Sequence, residues 1–125
     1  MNLNNYTIKA QEAIQKATEI ALSNEQQAIE TGHLLKAILG TDENVISFLN
    51  KKLNINTALL NGKLDEILQS YPKISGQQPY LSNGAHTALT KAATYLKEFK
   101  DEYVAIEHLL LGILAGKDKV SQLMK

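Results

Sequence analysis

The 125-residue sequence contains no cysteine and no tryptophan, and it has only two prolines. The lack of cysteine excludes disulfide bonds and thiolate metal sites, and it fits a reducing compartment. No apolar run approaches the roughly 20 residues that span a bilayer. The N-terminus lacks the basic and apolar regions of a signal peptide. We therefore expect a cytoplasmic protein.

Net charge is also absent, because 13 basic residues balance 13 acidic ones. A neutral chain has no general attraction to phosphate backbones or anionic lipid surfaces, where contacts depend on lysine and arginine. We therefore expect no nucleic-acid partner and no membrane partner. Apolar residues make up 44% of the chain, which is typical of one globular domain.

The sequence contains nearly the same stretch twice, as GHLLKAILG at residues 32–40 and EHLLLGILA at residues 107–115. Further pairs at the same offset of 75 positions are Ala10 with Ala85, Ala13 with Ala88, Lys16 with Lys91, Ala17 with Ala92 and Val45 with Val120. Unrelated helices would not keep one offset across several segments and the loops between them. We infer an internal duplication.

Each copy shows apolar residues at spacings of three and four, which predicts helices. The predicted helices cover about 7–24, 31–39, 43–52 and 57–70 in copy 1, and 82–99, 106–114 and a stretch from 118 in copy 2. Both short helices, 31–39 and 106–114, are too apolar and too short to be stable unless they are buried. The predicted N-caps are Thr7, Asn56 and Ser82, and Gly40 is the predicted stop of the second helix.

The predicted organisation is a single domain from 1 to 125, with copy 1 at about 6–70, a connector at about 71–81 and copy 2 at about 82–125. The connector holds both prolines and a glycine. No segment alternates like a strand, so the predicted fold class is all-α. By the offset, a fourth helix of copy 2 would lie around 132–145. We infer that the chain is a fragment of a longer protein, or that this helix is dispensable.

Few residues carry candidate chemistry. The segment from Gly112 to Asp118 differs from a phosphate loop in its glycine spacing, in the residue after lysine and in following a helix. His33 and His108 occupy matched positions, which favours packing or capping, and neither has a second metal ligand at i+3 or i+4. No serine, base and acid form a recognisable triad. We expect no metal, no cofactor and no enzyme activity in this chain.

The charged stretch KEFKDEYVAIE, residues 97–107, has two interpretations. It is either a solvated helix end and loop, or an acidic rim beside exposed apolar groups such as Tyr103. A surface of the second kind would bind extended peptides with apolar and basic side chains.

Three stretches resemble one known family: YTIKAQEAI from Tyr6, IETGHLL from Ile29 and YVAIEHLLLGIL from Tyr103. They are similar to the Clp N-terminal repeat domain of the AAA+ unfoldases ClpA, ClpB and ClpC, over essentially the whole chain. The PKISG loop, and Gly32 where ClpC-type domains carry a glutamate, are most similar to the ClpB disaggregases. The resemblance implies two four-helix repeats related by a pseudo-twofold axis, with the second truncated here.

The resemblance also implies a function. The chain would be a monomeric, substrate-recruiting module of a hexameric protein whose ATP and magnesium are bound in other domains. Its partners would be unfolded or aggregated client proteins, or folded adaptor proteins if the domain is of the ClpA or ClpC type. A stand-alone small enzyme is the hypothesis from a different class.

The resemblance implies three substrate-handling residues, which are Thr7, Asp101 and Glu107. Thr7 also has a plain capping role, and the two acids also suit the electrostatics of a loop and a helix N-terminus. With Tyr103 from the charged stretch, these residues make up the predicted substrate-binding site.

Overall fold

The structure is a computed structural model that describes residues 3–74, 78–98 and 101–124. Seven helices lie in this part of the chain: α1 Ile8–Ser23, α2 Thr31–Thr41, α3 Glu43–Lys51, α4 Thr57–Ser70, α5 Asn83–Glu98, α6 Ile106–Leu114 and α7 Lys119–Leu123. The predicted all-α class is confirmed. The ends of two predicted ranges, Phe99 and Lys125, lie outside the described residues. The boundaries of the two copies stay a prediction.

The predicted N-caps are confirmed by their hydrogen bonds. Thr7 Oγ1 accepts from the Ala10 N–H at 3.1 Å, and Ser82 Oγ accepts from the Ala85 N–H at 3.0 Å. Asn56 caps α4 in the same way. Each side chain satisfies a backbone donor that has no partner within the helix.

The predicted stop at Gly40 is wrong. Helix α2 continues through Gly40 to Thr41, and Asp42 both ends α2 and caps α3. The Asp42 carboxylate accepts from the Asn44 N–H at 2.9 Å. An aspartate can therefore join two helices without a left-handed glycine between them.

The centre of the domain is formed by α2 and α6, as the sequence predicts for its two short apolar helices. Most residues of both helices are buried. Helix α1 packs on α2, and α5 packs on α6, through faces rich in alanine. The approach is close enough that a Cβ atom on Gly112 would lie 2.2 Å from the Ala88 carbonyl oxygen.

Short backbone pairings, which the sequence does not predict, connect the two copies. Strands β1 (Ala28–Ile29) and β2 (Tyr80–Leu81) pair in parallel, with Ile29 opposite Leu81. A parallel bridge also joins Tyr6 to Val104. At the repeat offset, Tyr6 corresponds to Leu81 and Val104 to Ile29. The segment before the first helix of each copy therefore pairs with the segment before the second helix of the other.

Two backbone hydrogen bonds show the same pairing between the copies. The Thr7 N–H donates to the Val104 carbonyl at 2.9 Å, and the Ser82 N–H donates to the Ile29 carbonyl at 3.0 Å. The two bonds join equivalent residues of the two copies at nearly the same distance, as a pseudo-twofold relation requires.

His33 and His108 complete the N-termini of α2 and α6, as their matched positions predict. The Nδ1 atom of His33 accepts from the Glu30 N–H at 2.9 Å, and that of His108 accepts from the Ala105 N–H at 2.8 Å. The opposite ring nitrogen contacts Gln26 Oε1 at 2.7 Å in copy 1 and Asp101 Oδ2 at 2.8 Å in copy 2.

The His33 ring is buried, and burial lowers its pKa from 6.5 to about 4. Its hydrogen bonds act in the same direction. Because Nδ1 accepts a backbone N–H, a second proton on the ring would displace this bond. The neutral amide of Gln26 offers no charge to compensate a protonated ring.

Gly112→Ala should destabilise the domain. The added methyl group would collide with the backbone of α5, so the two helices would have to separate. We expect the free energy of unfolding in urea to fall by about 1–3 kcal/mol. Gly62→Ala is the matched control, because a Cβ atom on Gly62 in α4 meets nothing within 4 Å. It should raise stability by up to about 1 kcal/mol. Equal effects of the two substitutions would contradict this packing.

Acid should destabilise the domain through His33. The folded-state pKa of about 4 lies below the ordinary histidine pKa of 6.5, so the unfolded chain binds more protons between these two pH values. This contribution to stability is complete above about pH 6.5 and is lost as the pH falls to about 4, by an amount on the order of 3 kcal/mol.

His33→Gln provides the test of that assignment. Glutamine keeps an acceptor for the Glu30 N–H but cannot be protonated. Its free energy of unfolding should therefore change less between pH 6.5 and pH 4 than that of the parent chain. The same loss in both proteins would show that another group causes the acid sensitivity.

Candidate functional site

The start of α1 and the start of α6 meet at one surface, which contains two of the four predicted site residues. Thr7 and Glu107 line the same shallow depression of about 390 Å³. The backbone bond from Thr7 to Val104 fixes their relative position. The remaining lining residues are Ile8, Lys9, Asp42, Ala105 and Ile106. We call this surface the Thr7–Glu107 surface.

Asp101 does not line the depression. Its carboxylate accepts a hydrogen bond from His108 Nε2 at 2.8 Å, and its own N–H donates to the Leu96 carbonyl at 3.0 Å. The Asp101 side chain therefore orients the histidine that caps α6. Its side chain remains 49% exposed.

Tyr103 lies in the loop that leads into α6, next to Val104. Its side chain is 51% exposed and does not line the depression. Glu102 and Glu107, on either side of it in sequence, are also exposed. The exposure of all three side chains fits both interpretations of the charged stretch, the solvated loop and the acidic rim.

Two residues of the surface are missed by the sequence-based predictions. Ile8 is 76% exposed, because it lies off the buried alanine face of α1. This departure from the helical stripe was detectable in the sequence. Asp42 reaches the surface from the junction of α2 and α3, which only the tertiary packing reveals.

Carboxylates outnumber cations at the surface. Asp42 and Glu107 line the depression, and Lys9 is the cation there. Glu107 lies in the first turn of α6, where the helix dipole stabilises a negative charge. Exposed apolar groups next to carboxylates form a surface suited to apolar and basic side chains.

In copy 1, neighbouring side chains fill the space at the position that corresponds to Glu107. A Cβ atom on Gly32, the counterpart of Glu107, would lie 2.7 Å from the Tyr71 hydroxyl oxygen and 3.0 Å from Leu68 Cδ2. The Tyr71 ring also contacts His33, with 5.2 Å between ring centroids. Burial first, and the charge of Glu30 second, raise the pKa of Tyr71 to about 12, so its hydroxyl stays protonated. A glutamate cannot replace Gly32 while Tyr71 packs there.

Within residues 3–74, 78–98 and 101–124, no group of three or more histidine, aspartate or glutamate side chains is placed to hold a metal ion. Over the same residues, no helix is both long and apolar enough to cross a membrane.

Comparisons with known proteins agree with this fold. The family model described as the Clp repeat (R) N-terminal domain matches residues 5–125. The chaperone protein ClpB of Bacteroides thetaiotaomicron is 44% identical over 125 residues, and that of Porphyromonas gingivalis is 41% identical over the same length. Each match covers the whole of this chain and 14% of the relative. The chain thus spans a small part of the length of these relatives.

Solved structures show the same architecture. The Hsp104 N-terminal domain from Candida albicans superimposes with a TM-score of 0.85 at 24% identity, over 96% of this chain and 79% of that one. The N-terminal domain of the ClpV1 ATPase from E. coli gives 0.83 at 18% identity, over 98% and 78% of the two chains. The family match over nearly the whole chain and the two ClpB relatives show that the chain belongs to the Clp repeat (R) N-terminal domain family.

Proposed function

We propose that the chain is the N-terminal substrate-recruiting module of a ClpB-type disaggregase, and that it binds unfolded or aggregated polypeptide. Its similarity to chaperone proteins named ClpB supports this class of function. The observation that carries the proposal is the Thr7–Glu107 surface, where the exposed side chain of Ile8 lies beside the carboxylates of Asp42 and Glu107.

Unfolded chains differ from folded ones in exposing apolar side chains and extended backbone. Ile8, at 76% exposure, offers apolar area that a client side chain can cover. Glu107 and Asp42 offer charge to a neighbouring lysine or arginine of the client. The proposed site keeps the four residues predicted from the sequence, which are Thr7, Asp101, Tyr103 and Glu107. In this proposal, Asp101 acts through His108 and from the edge of the Thr7–Glu107 surface.

The shape of the surface favours weak and reversible binding. The depression is shallow, and its volume of about 390 Å³ holds only a few client side chains. Low affinity suits a recruiting module, because the client must be passed on.

The activity of the whole protein lies outside this chain. We propose that the parent is a cytoplasmic, hexameric ATPase that binds ATP and magnesium in its other domains, while this chain remains monomeric when isolated. A folded adaptor protein is the alternative partner, and the binding experiment below separates it from unfolded clients.

Ile8→Ser should weaken client binding. Serine removes the exposed apolar side chain at the start of α1, so we expect an unfolded, apolar and basic model polypeptide to bind about fivefold more weakly. Fluorescence anisotropy of the labelled polypeptide gives the affinity. NMR shifts should be centred on Thr7, Tyr103 and Glu107 in the parent chain.

Leu22→Ser is the matched control, because Leu22 is an exposed apolar residue, 50% accessible, on the same helix. It should leave the affinity unchanged. Equal loss in the two variants, or shifts away from the Thr7–Glu107 surface, would refute the site. Stoichiometric binding of one folded protein, without binding of unfolded polypeptide, would replace the client with an adaptor.

A further inference from the structure

The dipeptide asparagine–glycine occurs twice in the sequence, as Asn61–Gly62 in α4 and as Asn83–Gly84 at the start of α5. In this dipeptide the side-chain amide reacts readily with the backbone nitrogen that follows it, because glycine has no Cβ atom to hinder the approach. The structure places the two dipeptides in different environments. Their reactivity can therefore be compared within one chain.

The nitrogen of Gly84 is accessible. Asn83 and Gly84 are the first two residues of α5, and both are exposed. An N–H in the first turn of a helix has no acceptor within the helix, and that of Gly84 donates to no other acceptor among the residues that the structure describes. A Cβ atom on Gly84 would meet other atoms only at 3.7 Å or beyond. Water and hydroxide can therefore reach this nitrogen.

The repeat shows that the exposure belongs to this position in the fold. The corresponding residues of copy 1, Ile8 and Lys9, are also exposed, although copy 1 contains its fourth helix, α4. Helix α4 lies beside later turns of α1, where it lines a groove together with Lys16 and Ile20. The start of the first helix is thus open to solvent in both copies.

Asn61–Gly62 lacks this freedom. Gly62 lies inside α4, where each N–H donates to the carbonyl of the residue four positions earlier. The Asn61 side-chain oxygen accepts from Lys36 Nζ at 3.1 Å, which holds the amide toward α2. Attack by the Gly62 nitrogen would require α4 to unfold locally and the Asn61 side chain to leave Lys36.

The first turn of α5 must also open, because a helical backbone holds the nitrogen of one residue away from the side-chain carbon of the residue before it. Two bonds to Ser82 hold this turn. Its Oγ accepts from the Ala85 N–H at 3.0 Å, and its carbonyl accepts from the His86 N–H at 2.9 Å. Helix ends fray at low free energy, whereas interior turns open together with larger units of structure.

We propose that Asn83 deamidates spontaneously in the folded domain, which makes Asn83–Gly84 a site of non-enzymatic modification. Hydroxide removes the proton of the Gly84 N–H, and the nitrogen forms a bond to Asn83 Cγ. The Cγ–Nδ2 bond then breaks, and ammonia leaves after it gains a proton from water. Water opens the resulting cyclic imide at one of its two C–N bonds. Cleavage at Cγ gives aspartate, and cleavage at the backbone carbonyl carbon gives isoaspartate.

The modification changes a contact between the two copies. Aspartate adds a negative charge near Asp118, whose Oδ2 is the atom closest to a Cβ atom on Gly84. Isoaspartate also inserts a methylene group into the backbone directly after Ser82. Because the Ser82 N–H donates to the Ile29 carbonyl at 3.0 Å, a shift of this segment weakens the pairing of β1 with β2. The inference is independent of the proposed client surface.

Mass spectrometry of the 125-residue chain, kept at mildly alkaline pH, tests the proposal. Peptide mapping gives the rate of amide loss at each dipeptide. In the folded domain we expect Asn83 to react faster than Asn61 by about tenfold or more, because the two openings differ in free energy. In urea, where neither helix is formed, the two rates should agree within about threefold, since both asparagines precede glycine.

Gly84→Ala should slow the loss at Asn83 by about tenfold, because the methyl group hinders the nitrogen. The fold should tolerate it, since this group meets nothing closer than 3.7 Å. Gly62→Ala is the matched control and should leave the rate at Asn83 unchanged. Ser82→Ala removes the cap of α5 and should raise the rate at Asn83 by about fivefold.

Equal rates at the two asparagines of the folded domain would overturn the proposal. So would an Asn83 that stays intact after Asn61 has reacted. An unchanged rate in the Ser82→Ala variant would also contradict it, because opening of the first turn would then not control the reaction.

Hydrogen exchange of the purified isoaspartate form tests the structural consequence. Its Ser82 amide hydrogen should exchange with solvent faster than in the parent chain, while that of Thr7, bonded at the other pairing, should not change. Unchanged protection of Ser82 would show that the modification leaves the pairing of β1 with β2 intact, against the proposal.

Discussion

Backbone hydrogen bonds that cross between the two copies determine the arrangement of the whole domain. The segment before α1 is bonded to the segment before α6, and the segment before α5 is bonded to the segment before α2. Each pairing therefore holds the start of a helix in one copy against the start of a helix in the other. Because Thr7 is bonded to Val104, the first turns of α1 and α6 meet, and Thr7 comes next to Glu107. The pairing of β1 with β2 likewise brings Thr31 next to Gly84.

Duplication gives the domain one backbone plan with two different sets of side chains. Each of α2 and α6 has a histidine that caps its N-terminus, but the partner of the ring is Gln26 in one copy and Asp101 in the other. Tyr71 covers Gly32 in copy 1, while Glu107 is exposed in copy 2. Helix caps and core packing thus keep the pseudo-twofold relation, and the exposed residues depart from it. The Thr7–Glu107 surface lies at one such departure, since Glu107 stands where copy 1 has Gly32.

The sequence predicted the helices and three of their caps because these features depend on local spacing. Helices α4 and α6 have the predicted bounds, and the burial of α2 and α6 follows from their composition. The two-residue strands could not be predicted in this way, since pairs such as Ile29 with Leu81 join residues far apart in the chain. The stop at Gly40 was wrong because Asp42 supplies the helix end instead.

The candidate site was predicted only in part, because contacts between residues far apart in the chain assemble it. Thr7 and Glu107 were named from the sequence, but they meet in one depression only because the backbones of the two copies pair before α1 and α6. The closure of Gly32 by Tyr71 likewise needs α4 to pack on α2. Ile8 was also missed, although it could have been predicted, because its position off the helical stripe is visible in the sequence.

Native-state hydrogen exchange tests the crossing hydrogen bonds most directly. The amides of Thr7 and Ser82 both donate to carbonyls of the other copy. If the hydrogen bonds between the two copies hold the domain together, the amide hydrogens of both residues should exchange with solvent only on global unfolding. The two free energies of opening should then agree within about 1 kcal/mol. Exchange of either amide through a local opening of much lower free energy, while the helical core stays protected, would contradict this account.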